Sequence, residues 1–88
     1  MKYKVEYKKP AIKALKKLDK LTARLIMSWI EKNLVDCSNP RVHGKTLSGD
    51  RVGSWRYRVG DYRIIANISD NTVTILVLEI GHRRDIYS

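Results

Sequence analysis

The pair Gly60-Asp61, set between the runs WRYRV and YRIIANI, limits what this chain can fold into more than any other feature. A two-residue connection of Gly plus an Asx residue between strand-like runs predicts a tight β-hairpin. With Gly60-Asp61 as the turn, Val59 faces Tyr62, Arg58 faces Arg63 and Arg56 faces Ile65. Directly opposed residues share one face of a sheet. Tyr57, Val59, Tyr62, Ile64, Ala66 and Ile68 therefore fall on one side, and Arg56, Arg58 and Arg63 on the other. Like charges placed opposite each other destabilise a strand pair. Three guanidinium groups on one face point to an anion that belongs there, because Arg is suited to bidentate contacts with phosphate.

The rest of the chain supplies partners for the apolar side. Lys2 to Tyr7 alternates, with Tyr3, Val5 and Tyr7 on one side, and predicts a short strand. Pro10 suits the first turn of a helix, where its missing N–H costs nothing. Ile12, Leu15 and Leu18, with Ala11 and Ala14, form an apolar stripe to about residue 18, and Lys13, Lys16, Lys17 and Lys20 lie largely off it. A break near Asp19-Lys20 leads to a second helix carrying Leu21, Leu25, Ile26, Trp29, Ile30 and Leu34, so the two helices form a hairpin. Trp29 reads as core and Trp55 as a packing residue.

Residues 37–53, CSNPRVHGKTLSGDRVG, read as loop. Strands are expected at about 54–59, 62–68 and 72–80, with Asp70-Asn71 as the second turn. TVTILVLEI is apolar on both faces over much of its length, which favours a central position. The expected fold class is α+β: a small four-stranded antiparallel-type sheet with an N-terminal helical hairpin packed on one face, and a tail, GHRRDIYS. At 88 residues, without repeats or a linker, a single domain over 1–88 is expected.

The net charge of +9, from 18 basic and 9 acidic residues, makes nucleic acid the leading partner class. Residues 1–24 are lysine-rich, which a solvated helix face explains. Residues 50–88 carry arginines and no lysine, which it does not. No apolar run approaches the roughly 20 residues of a membrane span. The N-terminus lacks the apolar core of a signal peptide, and the lone Cys37 cannot form an internal disulfide, so a cytoplasmic protein is expected. Cys37, His43 and His82 do not form a metal-ligand cluster. No Gly-rich phosphate loop or nucleophile elbow is present, and no cofactor is expected.

One reaction class suits the side chains that remain. Cleavage of RNA by its own 2′-hydroxyl needs no metal. It needs a proton acceptor, a proton donor and cations for the charge that builds on phosphorus. Arg56, Arg58 and Arg63 can supply the cations, with Arg83 near the end of the last strand. Tyr87 can stack on a base or donate a proton, and His82 titrates near neutrality. Taken singly, a strand arginine is more often solvated, His82 structural and Tyr87 a packing residue. Composition and pattern alone reach a basic α+β module that binds an anion, and stop there.

Read as a whole, the chain resembles the RelE toxins of bacterial and archaeal toxin–antitoxin systems. The segments GKTLSG (44–49) and GSWRYRVGDYRIIANISDNTVTILVLEIGHRRDIY (53–87) carry the resemblance, together with the strand and two helices before them. It implies a ribosome-dependent endonuclease that cuts mRNA in the A site by metal-independent 2′-hydroxyl attack. Arg56 and Arg58 then match two basic residues of the strand before the turn, Arg63 the arginine after it, Arg83 the arginine after the Gly-x pair, and Tyr87 the C-terminal aromatic. Lys45, Arg51, Arg84, Lys13, Lys16 and Lys17 are expected to contact RNA or the ribosome.

Two departures from the family pattern stand out. The first two positions are lysines in enterobacterial members, so the role of base moves here to His82 or is dispensed with. The glutamate base of the YoeB type has no clear counterpart around Arg41 to Lys45. The fold is shared with ParE toxins, which poison DNA gyrase, so a gyrase inhibitor without nuclease activity is the alternative, followed by an inactive antitoxin-binding module. Each toxin reading implies a cognate RelB-like antitoxin, acidic and partly disordered when free, through which the pair would bind operator DNA.

Overall fold

The computed structural model describes residues 1–47, 54–82 and 84. In chain order the elements are β1 (Lys4–Tyr7), α1 (Lys9–Lys17), α2 (Lys20–Asn33), β2 (Lys45–Thr46), β3 (Trp55–Val59), β4 (Tyr62–Ser69) and β5 (Thr74–His82). The expected helices and strands are present, in an α+β arrangement. The sheet has five strands rather than four, in the order β1-β5-β4-β3-β2. It is mixed, because β1 runs parallel to β5, with Lys4 beside Thr74 and Tyr7 beside Val77. The added strand is β2, which pairs only Lys45 with Arg56 and Thr46 with Trp55. Two residues are too few to show alternation, and their Gly/Ser-rich surroundings read as loop.

Local chemistry sets the element boundaries. Pro10 sits in the first turn of α1, where no backbone donor is lost. Asp19 separates the helices by capping α2: its carboxylate accepts from the Thr22 backbone N–H at 3.1 Å and from the Thr22 hydroxyl at 2.6 Å. Those bonds from Thr22 hold the Asp19 carboxyl below the usual carboxylate range. At the second turn, Val73 takes a left-handed φ of 49° and its N–H reaches the Asp70 carbonyl. Strand β5 consequently begins at Thr74, two residues later than alternation predicts.

Both helices pack on one face of the sheet. Ala11, Ile26, Ile30 and Leu34 meet Tyr57, Ile64, Ala66, Ile75, Val77 and Ile80 in a single buried cluster. Three apolar residues assigned to the helical stripes lie outside it: Ile12, Leu21 and Leu25 are exposed. A β-bulge decides which residues of β5 join the core. Ile65 pairs Glu79 and Ala66 pairs Val77, so Leu78 is skipped. The extra residue reverses the alternation, placing Ile80 with Ile75 and Val77 on the helix side and Glu79 beside Ile65 on the side away from the helices. This is why TVTILVLEI looks apolar on both faces.

Candidate functional site: an arginine cavity at the edge of the sheet

The hairpin forms in the expected register, with Val59 opposite Tyr62, Arg58 opposite Arg63 and Arg56 opposite Ile65. Gly60 adopts a φ of +60°, as the first residue of a turn matched to strand twist requires. The three arginines occupy the face turned away from the helices. Lys45 of β2 extends their row, since it pairs Arg56. Arg63 is 8% exposed, and its Nη1 donates to the Gly60 carbonyl at 3.5 Å and the Tyr62 carbonyl at 3.4 Å. Arg58 is exposed and donates through Nε to the same Gly60 oxygen at 3.3 Å.

An acid shares this face. Glu79 pairs Ile65, and Gly81 pairs Arg63, which makes Glu79 the diagonal neighbour of Arg63 on the next strand. An opposite charge within that reach offsets part of the repulsion between Arg58 and Arg63. Gly81 adds no side chain opposite Arg63. The sequence alone hid this acid because the bulge at Leu78 changes the face on which Glu79 emerges.

Arg56, Arg58 and Arg63 line one cavity of about 420 Å3 with Lys45, Gly44, His43 and Trp29. None of these lining residues is acidic. The cavity lies at the border of β3, where the pairing with β2 begins at Lys45, so side chains from both faces meet around the edge. A larger groove of about 730 Å3 runs beside it between α2 and the hairpin turn, bordered by Leu25, Trp29, Val59, Asp61 and Tyr62. That groove is mostly apolar, and the concentrated positive charge belongs to the smaller cavity.

The wall holding His43 and Gly44 is fixed to β3. The Trp55 indole N–H donates to the His43 carbonyl at 2.6 Å, and the buried Tyr57 hydroxyl donates to the Pro40 carbonyl at 2.7 Å. Burial, with the nearby Cys37 thiol, pushes the Tyr57 phenol well above its usual range, so it remains a donor. Gly44 has a φ of +79°, and a Cβ there would collide with the Arg56 carbonyl oxygen. Only glycine permits that approach. Farther back, Arg41 forms two hydrogen bonds to the Asp70 carboxylate at 3.0 and 3.1 Å.

The remaining expected site residues are scattered. His82 pairs Tyr62, which puts it on the helix side of the sheet, across from the arginine row. Its ring meets Tyr62 edge-on at 5.5 Å, and its Nδ1 accepts the Arg84 backbone N–H at 3.3 Å. Arg84 is exposed beside it. Lys13, Lys16 and Lys17 are exposed on α1, the helix covering the opposite face. Arg51, Arg83 and Tyr87 lie outside the described residues. His43 and Trp29, which complete the cavity, were not among the site residues read from sequence. His43 lay in a segment taken as loop, and Trp29 follows the helical core spacing.

Among the described residues no group of three or more His, Cys, Asp or Glu could hold a metal ion. No described helix is long and apolar enough to cross a membrane. The fold gathers four cationic side chains, and no acid among the described lining residues, around one cavity at the border of β3.

Comparison with known proteins gives the family. The model of the ParE toxin of type II toxin–antitoxin systems, parDE, matches residues 5–87. The chain belongs to the RelE/ParE superfamily of type II toxins. It is 35% identical over 75 residues to toxin RelG of Mycobacterium tuberculosis, covering 84% of this chain and 86% of that one. Its fold is similar to that in the crystal structure of the RelBE2 toxin–antitoxin complex of M. tuberculosis, at 26% identity and a TM-score of 0.84 over 94% of this chain and all of that chain. The isolated E. coli RelE toxin shares the fold at 20% identity, with a TM-score of 0.72 over 91% of this chain and 83% of that one.

Proposed function

We propose that this toxin is a ribosome-dependent mRNA endonuclease that blocks translation by cutting in the A site. The observation that carries this reading is the meeting of Arg56, Arg58, Arg63 and Lys45 around one cavity with no acid among its described lining residues. In attack by the 2′-hydroxyl on the adjacent phosphorus, negative charge accumulates on the non-bridging oxygens. Fixed guanidinium groups stabilise that charge more than they stabilise the ground state. A site with this chemistry needs the RNA held in line by its surroundings, which the ribosome would supply. Arg83 and Tyr87 would act from the chain that follows β5. Lys13, Lys16, Lys17, Arg51 and Arg84 would contribute to the approach to RNA.

The partner of the resting toxin would be a RelB-like antitoxin. Related toxins have been crystallised with RelB, among them archaeal RelE from Pyrococcus horikoshii and RelE from E. coli. Operator DNA would be bound only through that antitoxin.

The decisive experiment is primer extension on a defined mRNA in a purified translation system, with naked mRNA as control. Cuts within the A-site codon that require ribosomes are expected. A second reading is favoured by the family model itself, which is that of ParE: inhibition of DNA gyrase without nuclease activity. Intact mRNA together with blocked gyrase supercoiling would replace the first reading with the second.

A further inference from the structure

We infer that the His43 imidazole is the proton acceptor of the arginine cavity, an assignment that rests on the ribonuclease reading. Each side chain bordering the cavity can be tested for this role. Guanidinium groups do not give up their protons in proteins, which removes Arg56, Arg58 and Arg63. Lys45 is exposed, and an ammonium group only donates hydrogen bonds. The Trp29 indole only donates, and Gly44 has no side chain. Among the described lining residues His43 is what remains, and an imidazole can both accept and return a proton. The charged groups lining the cavity with it are Lys45 from β2, Arg56 and Arg58 from β3, and Arg63 from β4, while α2 contributes only Trp29.

The position of His43 is set rather than incidental. Its ring meets Trp29 edge-on, with centroids 5.7 Å apart and planes at 70°. Its carbonyl is fixed by the Trp55 indole at 2.6 Å, and the neighbouring Gly44 lies close against the Arg56 carbonyl. The imidazole is half-buried, open enough to reach a ligand in the cavity. His82, the other histidine, stands on the opposite face against Tyr62.

In the reaction, His43 accepts the 2′-hydroxyl proton as the 2′-oxygen bonds to the adjacent phosphorus. The bond from phosphorus to the 5′-oxygen breaks, and that oxygen takes a proton from water. The products are a 2′,3′-cyclic phosphate and a 5′-hydroxyl. His43 then returns its proton to solvent, so protons balance and nothing is oxidised or reduced.

The test is single-turnover cleavage of mRNA on programmed ribosomes by wild type, His43→Ala, His43→Gln and Arg63→Ala, each first checked for folding by circular dichroism. Both His43 variants should cleave roughly 100-fold more slowly or worse. They should also lose the rise in rate with pH across the neutral range. Added imidazole should partly restore His43→Ala and leave Arg63→Ala unchanged. A full rate in either His43 variant overturns the assignment and leaves the nuclease reading standing. Slower cleavage with an unchanged pH profile and no rescue also overturns it, reducing His43 to a positioning residue. Wild-type protein that cuts no ribosome-bound mRNA removes both readings together.

Discussion

Arg58 and Arg63 stand directly opposite each other on β3 and β4, and both direct a guanidinium N–H at the single carbonyl oxygen of Gly60. Both bonds are long, at 3.3 and 3.5 Å, and a diagonal Glu79 offsets only part of the repulsion between two like charges. Stability and function therefore pull apart at this pair. Arg58→Ala should leave stability unchanged or raise it by up to about 1 kcal/mol, while toxicity and cleavage fall. Urea denaturation beside a growth assay checks this. A clear loss of stability with full toxicity would reverse the interpretation.

Arg63 should behave differently, because it is almost fully buried and its aliphatic stem packs as well as its charge. Arg63→Ala should abolish toxicity and also lower stability, by about 1–2 kcal/mol. An Arg63→Ala protein as stable and as toxic as wild type would remove Arg63 from the site.

Gly44→Ala should be more harmful than its size suggests. The new methyl would meet the Arg56 carbonyl and the Trp55 indole, at a backbone φ of +79°. The expected cost is at least about 2 kcal/mol, or displacement of the segment bearing His43. Thermal unfolding with and without the substitution tests it, and an unchanged midpoint would mean that the close approach to β3 is dispensable.

Tyr57→Phe removes the hydroxyl that donates to the Pro40 carbonyl and keeps the ring in the core. The loss should be about 1–2 kcal/mol. Amide hydrogen exchange should accelerate in the 37–44 segment more than in β4. Uniform acceleration throughout the sheet would show that this bond supports the core and not the cavity wall.

Asp70 links pH to stability. Hydrogen bonds from Arg41, then from the Tyr3 hydroxyl, hold its carboxyl below the usual value of 3.8. A group with a depressed folded-state value stabilises the protein fully above its unfolded value and ceases to do so as pH falls through the folded one. Asp70→Asn should therefore lower the urea midpoint at neutral pH, and the difference should close as pH falls through the depressed folded-state value of Asp70. A difference that persists unchanged into acid would assign the effect to something other than the Asp70 charge.

Much of the fold was legible because it depends on neighbours in sequence. Gly60-Asp61 specified the hairpin and its register through turn geometry, and alternation then placed Arg56, Arg58 and Arg63 on the same face. Pro10 marked the start of the first helix through its missing N–H, and the break near Asp19-Lys20 marked the second. Exposure was less legible, since Ile12, Leu21 and Leu25 satisfy helical spacing yet lie open. Periodicity gives a face, but only packing decides how wide a stripe is covered.

What the chain settles by itself is the local part: which segments turn, cap and alternate, and that positive charge is concentrated on one side of the hairpin. Tertiary structure decided the rest. The bulge at Leu78 reversed the facing of β5, so that Ile80 entered the core and Glu79 joined the arginine face. The two-residue strand β2 became visible only by pairing with β3. That pairing, with the Trp55 and Tyr57 hydrogen bonds, brought His43 and Trp29 to Arg56, Arg58 and Arg63 and left His82 on the far face. Contacts between residues far apart in the chain depend on how whole elements pack, and no local periodicity records them.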